Sequence, residues 1–279
     1  MKIVENRTFD EDRALYSSDD LVIRKCKFDG PADGENALMD SKNIKVEDCS
    51  FNLRNPFWHN SNLIIENSEM TKRCVAPICY SDHVIINRCQ LGGDKALRES
   101  SEVKIKDCDI DSDEFGWSAH DIIIEDADTK GSFFMMKSTN LKFADIHHIG
   151  DSAFHHICNV LFEDCTIDSK DAFHYAKNVT VRNCEINGDR IGWNSENVVF
   201  DNCTIRGSHP FCHCKGLRLI DCKLLGADQS FEGSDVEATL LSPVISIKNP
   251  TSGTIRVPVY EELIMDDPEA KCNIITKGS

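Results

Sequence analysis

Short apolar runs alternate with polar positions along the whole chain, and the runs recur at a fixed interval. One column of mostly small side chains reads Cys26, Cys49, Ser68, Cys89, Cys108, Ala127, Ile146, Cys165, Cys184, Cys203 and Cys222, and from Cys89 onward every step is 19 residues. The earlier steps are 23, 19 and 21 residues. Upstream lie two apolar columns, represented by Val160, Val179 and Val198 and, two residues on, by Phe162, Val181 and Phe200. A gap of two is strand alternation, with both side chains on one face. Three residues separate the second column from the cysteine, so the chain bends at an intervening Asp or Asn, such as Asp164, Asn183, Asn202 or Asp221. Ile167, Ile186 and Ile205 then resume the alternation. The middle of each repeat, AFHHIC (153–158), AFHYAK (172–177), IGWNSE (191–196) and PFCHCK (210–215), predicts a third short strand.

Strands that recur with this beat stack on their own equivalents, one turn later. The expected fold is all-β: a single parallel β-helix, or solenoid, of about eleven coils with a 19-residue repeat and three short strands per coil. Parallel crossovers are right-handed by strong preference, and the six-residue sub-periods of left-handed solenoids are missing, so the helix is expected to be right-handed. A further column, Asn43, Asn62, Asn140, Asn159, Asn178 and Asn197, marks a second bend. Asn tolerates left-handed backbone there, and stacked amides can bond along the ladder. One domain is expected over 1–279, with coils over 21–238 and caps over 1–20 and 239–279. Within the second cap, VISIK and TIRV around NPTSG suggest a hairpin that blocks the last coil.

With these columns the chain resembles the right-handed parallel β-helices of the pectin lyase-like superfamily, over roughly residues 20 to 238. Segments such as RALYSSDDLVIRKCKF (13–28), GWNSENVVFDNC (192–203) and VISIKNPTSGTIRV (244–257) look more closely like a bacterial β-helix family of unknown function. The superfamily resemblance implies carbohydrate work by analogy of fold.

Composition narrows the function. The formal charge is −16, from 31 basic and 47 acidic residues. This disfavours nucleic acid and anionic membranes as partners, because both are held through Lys and Arg. It also favours a neutral or amino sugar over a uronate polymer, and no local basic patch stands out along the sequence. No apolar run reaches the ~18 residues of a membrane span, and the first residues lack a secretory core, so a cytoplasmic location is expected. Fourteen cysteines invite a disulfide or zinc reading. Ladder neighbours, however, hold parallel Cβ vectors too far apart for a disulfide, so the cysteine column reads as core. Cys212, His213 and Cys214 lack a second paired ligand motif, and residues 107–113 (DCDIDSD) fail the EF-hand pattern at Glu114 and His120. No metal and no cofactor are expected.

Candidate chemistry gathers on the third strand. Alternation leaves two registers open, with either the Phe column (Phe154, Phe173, Phe211) or the Trp/His column (His155, His174, Trp193) facing inward. Asp151, Asp171 and Asp189 precede it, at separations of roughly 5 and 10 Å on ladder spacing, near the carboxylate pairs of glycosidases. The leading expectation is a carbohydrate-binding or carbohydrate-active β-helix, of hydrolase or lyase type if it is an enzyme. Asp151, Asp171 and Asp189 would be the catalytic acids and bases, assisted by His155 and His174. Tyr175, Arg190, Trp193, His213 and Glu232 would bind an oligosaccharide, with Trp193 or Tyr175 stacking on sugar. The rival is a non-enzymatic scaffold that docks a protein or a second copy of itself through an exposed aromatic stripe.

Overall fold

A computed structural model describes residues 2–30 and 35–276. The chain is an all-β, right-handed parallel β-helix. By packing it divides into two compact units, Met1–Leu141 and Lys142–Ser279, each built from the same turn. In the first, Lys42–Glu47 pairs in parallel with Ser61–Glu66, and that strand with Asp82–Asn87. In the second, Cys158–Glu163 pairs with Lys177–Arg182, and that strand with Glu196–Asp201, with Val160 opposite Val179 and Val179 opposite Val198. The expected beat of 19 is therefore a stacking distance.

Among the described residues the turns number about 14, against the eleven counted from the cysteine column. The difference lies at the ends, where segments expected as caps go on winding. Lys2–Glu5 pairs in parallel with Asp19–Arg24, and Ser252–Val257 pairs in parallel with both Asp235–Leu240 and Asn273–Thr276. One of these steps is 17 residues (Val236 to Gly253), which hides the beat. The expected hairpin over 244–257 does not form. Val244–Lys248 pairs in parallel with Tyr260–Ile264, in a different sheet from Ser252–Val257. Asn249, at φ 44°, and Pro250 turn the chain through a bend of the solenoid and do not reverse it.

Each turn buries its aliphatic columns; Val160, Phe162, Val179, Val181, Val198 and Phe200 are at most 5% exposed. A fully buried side chain of this size contributes about 1.5–3 kcal/mol. At the first bend Asp164, Asn183, Asn202 and Asp221 adopt φ of 51–56°, which swings the following cysteine inward. All fourteen cysteines are free thiols. Besides filling the core, their column satisfies backbone groups at the bend. The Cys165 N–H, left out of the strand ladder, donates to Cys184 Sγ at 3.3 Å, and the Cys184 thiol bonds the Arg182 carbonyl at 3.0 Å. Ser68 does the same in that column, accepting from Cys49 N at 3.0 Å. A parallel column of serines, not singled out in the sequence, closes the other bend. Ser81 N donates to Ser100 Oγ at 3.1 Å, Ala119 N to Ser138 Oγ at 3.0 Å, and Cys214 N to Ser234 Oγ at 2.8 Å.

The asparagine column behaves as expected. Asn159, Asn178 and Asn197 have φ of 52–58°, and their amides bond turn to turn at 3.2 and 3.3 Å. Replacing Asn178 with alanine removes both bonds and places a Cβ-bearing residue without a local partner in left-handed backbone. We expect a loss of about 1–2 kcal/mol, read by urea unfolding, with Asn178→Gly restoring part of it through backbone freedom. An Ala variant as stable as the parent would show that the ladder contributes nothing.

The third segment departs from the expected strand. It is a run of turn residues in which every second backbone is left-handed: Ser152, Phe154 and His156; Asp171, Phe173 and Tyr175; His209, Phe211 and His213, all with φ of 52–62°. Bonds between turns hold it, including Phe173 N to Ala153 O at 3.1 Å and Tyr175 N to Trp193 O at 2.9 Å. Because the chain is not pleated, inward positions come in adjacent pairs. Ala153 and Phe154, and Ala172 and Phe173, are all wholly buried. The two registers allowed by strand alternation therefore give way to a third arrangement. Phe packs inside, the Trp/His column lies half-buried along the wall, and the residue after it faces solvent.

Candidate functional site

All ten sequence-derived site residues fall within the second unit. The half-buried column is a stack of rings. His155 and His174 lie 4.8 Å apart and His174 and Trp193 5.9 Å apart, with planes within 7° of parallel. Each ring points a nitrogen at the carbonyl 16 residues on: His155 Nε2 at Asp171 O (2.5 Å), His174 Nε2 at Arg190 O (2.7 Å), and Trp193 Nε1 at His209 O (2.6 Å). A carbonyl can only accept, so each imidazole carries its proton on Nε2. Burial pulls both histidines below their usual pKa, which keeps them neutral at pH 7.

The aspartates are tied down. The Arg190 guanidinium makes a forked contact to Asp171, Nε to Oδ1 at 2.5 Å and Nη2 to Oδ2 at 2.7 Å. These hydrogen bonds hold the Asp171 carboxyl below the usual carboxylate range. Asp189 Oδ1 accepts from Ser208 N at 2.8 Å and Ser208 Oγ at 2.9 Å, and the same bonds lower its pKa. Asp151 Oδ1 accepts from Lys170 N at 3.3 Å. Asp151 and Asp189 thus cap the backbone of the following turn, as short acidic side chains do at bends. A glycosidase keeps one carboxyl protonated as its acid; Asp171 and Asp189 are both held ionised. This arrangement can accept and donate hydrogen bonds, and it lacks a poised proton donor at those two positions.

The outer column carries the exposed His156, Tyr175 and His213 and the half-buried Asn194 and Glu232. Tyr175 is 47% exposed and its ring lies flat against His156, with centroids 4.7 Å apart and planes 3° from parallel. The His213 ring packs over Gly233, where a Cβ would lie 2.5 Å from Nδ1 at φ 65°, and Glu232 pairs with Lys248 at 3.1 Å. His156 and Asn194 were outside the candidate set, although the polarity of their column marks them in the sequence. The rings stack on one another, so solvent meets their polar edges more than their faces. Cys212 continues the ring column one turn after Trp193 and reaches the same His209 carbonyl at 3.7 Å; Cys214 is buried with its Sγ 3.3 Å from Ser195 Oγ, and burial pushes the Cys212 thiol up to about 12. Among the described residues, no three His, Cys, Asp or Glu side chains converge as a metal site. No helix there is long and apolar enough to cross a membrane.

Turn architecture and ring wall together define a parallel β-helix with an ordered polar face. The chain belongs to the DUF3737 family of proteins of unknown function, whose model matches residues 2–276. Comparison with curated proteins gives no match. Among solved structures it is similar to the surface adhesin PfbA of Streptococcus pneumoniae, at 11% identity over 88% of this chain and 70% of that one (TM-score 0.38). It is also similar to tailspike protein 3 of bacteriophage CBA120, at 11% identity over 99% of this chain and 52% of that one (TM-score 0.37). A third is the A-module of the mannuronan C-5 epimerase AlgE4 of Azotobacter vinelandii, at 9% identity over 98% and 89% (TM-score 0.35).

Proposed function

We propose that the protein is a carbohydrate-binding β-helix that holds a neutral or amino sugar along His156, Tyr175, Asn194 and His213. The observation that carries this reading is the outer column itself: an exposed imidazole and phenol, a half-buried amide and an exposed imidazole at successive turns, braced by the ring stack behind it. A sugar hydroxyl both donates and accepts, and so does this row of edges. Rigid backing lowers the entropic cost of binding. The ionised Asp171 and Asp189 favour recognition over hydrolysis. The scaffold alternative needs an exposed apolar stripe, and the Phe column that would have formed it is buried.

Titration calorimetry with neutral and N-acetylated oligosaccharides tests the reading. Tyr175→Ala and Asn194→Ala should each weaken binding about tenfold, roughly one lost hydrogen bond to a ligand, with circular dichroism unchanged. Affinity indifferent to both variants, or a stable dimer that buries Tyr175, would dismiss it. Release of reducing ends that Asp171→Asn abolishes would replace binding by hydrolysis.

A further inference from the structure

A groove of about 800 Å³ lies in the first unit, at the corner between its long and short strands. Its floor is the bend column Asn6, Lys25, Asp48, Asn67 and Arg88, all left-handed at φ of 49–55°. Its second wall is the row Thr8, Lys27, Ser50, Glu69 and Gln90, in register from turn to turn. The two rows converge because the left-handed residue turns the chain while the cysteine or serine after it points inward.

The groove is locally basic on an acidic chain. Arg7, Lys25, Lys27 and Arg88 line it against Asp48 and Glu69, in a protein of net charge −16. These cations come from three different turns: Lys25 and Lys27 lie in the short basic run RKCK (24–27), and stacking brings Arg7 and Arg88 to the same groove. Arg88 Nε donates to Asn67 Oδ1 at 2.8 Å, and Lys27 pairs with Asp29 at 3.0 Å. The Arg7 guanidinium rests over the Phe9 ring at 5.0 Å. Three of the cations sit at the first two turns, and Ser50, Asn67 and Gln90 continue the groove with hydroxyl and amide groups.

We infer that this groove is a second saccharide site, for a short oligosaccharide whose carboxylate or sulfate sits at Arg7, Lys25 and Lys27 while its hydroxyls run along Ser50, Asn67 and Gln90. No aromatic side chain lines the groove, so it offers no platform for stacking bases. It also lacks the apolar pockets that anchor peptide side chains. The chain's net charge limits the ligand to few anionic groups, since a long polyanion would be repelled elsewhere. The site lies wholly in the first unit and does not rest on the column proposed in the second.

Calorimetry at low salt with trigalacturonate, maltotriose and inorganic sulfate decides the matter. Trigalacturonate should bind best, and more weakly as salt rises. Lys25→Asn, which suits the left-handed bend, and Arg7→Gln should each weaken it about tenfold, as for a lost charge-assisted hydrogen bond. Glu69→Gln should strengthen it severalfold, which a misfolded variant cannot mimic, and Tyr175→Ala should leave it unchanged. Equal binding of maltotriose, indifference to both cation variants, or sulfate alone binding as tightly as the trisaccharide would overturn the assignment. Tighter binding of single-stranded DNA or an acidic peptide would overturn it too.

Discussion

Replacing Phe173 with alanine should lower the free energy of unfolding by about 3–5 kcal/mol. The ring is wholly buried, parallel to Phe154 at 5.5 Å and edge-on to Phe162 at 5.3 Å and Phe200 at 6.1 Å. Its loss removes transfer energy and leaves a void that turns above and below cannot close, because their backbones are bonded to one another. Phe173→Leu should cost far less, since it keeps most of the volume. Urea unfolding midpoints of the three proteins supply the measurement. A loss under about 1 kcal/mol would mean that Phe173 does not sit in a packed core.

Acid should destabilise the protein through His148. This side chain is wholly buried, edge-on to Phe154 at 5.5 Å, in the column where Ile167 stands one turn later. Burial pushes its pKa down from 6.5 to about 4; the neighbouring His147 lowers it further, and Asp168 works the other way. In the unfolded chain the imidazole takes up a proton below pH 6.5, whereas in the folded chain it waits until about 4. Stability is therefore full above pH 6.5, falls as the pH drops toward 4, and levels off below. The total is about 3 kcal/mol. His148→Ile should flatten this part of the profile, and the difference between the two proteins cancels the carboxylates that titrate in both. Parallel urea unfolding at pH 7 and pH 4 checks it; identical pH slopes would show that the imidazole is not buried neutral.

Much of the architecture could be read from the sequence because two kinds of position obey local rules. Asn159, Asn178 and Asn197 occupy left-handed bends that asparagine tolerates, and the inward valines keep strand alternation. The third segment breaks local rules. Phe154, Phe173, Phe211, Leu97 and Met135 all have φ between 56 and 63°, a region that costs ordinary side chains roughly 1–2 kcal/mol. Nothing in a phenylalanine announces such a backbone; bonds to the turns on either side impose it. That is why the segment stood out in the sequence while the orientation of its side chains did not. Asp171 and Arg190 were legible as polar neighbours one turn apart, but the forked contact that keeps the carboxylate ionised depends on side-chain geometry. The basic groove escaped notice for the opposite reason: Lys25 and Lys27 form only a short basic run, RKCK, and stacking is what brings Arg7 and Arg88 beside them.

Deleting one whole turn, residues 166–184, puts the stacking of turns to its sharpest trial. The removed length equals the 19-residue step between Val160 and Val179, so every column should close up in register, and the shortened chain should fold with a cooperative thermal transition by circular dichroism. A ten-residue deletion, residues 166–175, should abolish that transition, because it sets the strands of one turn against the bends of the next, a mismatch well beyond the two to four residues that the 17-, 21- and 23-residue turns absorb. Equal folding of the two deletions, or loss of folding in the first alone, would contradict the account.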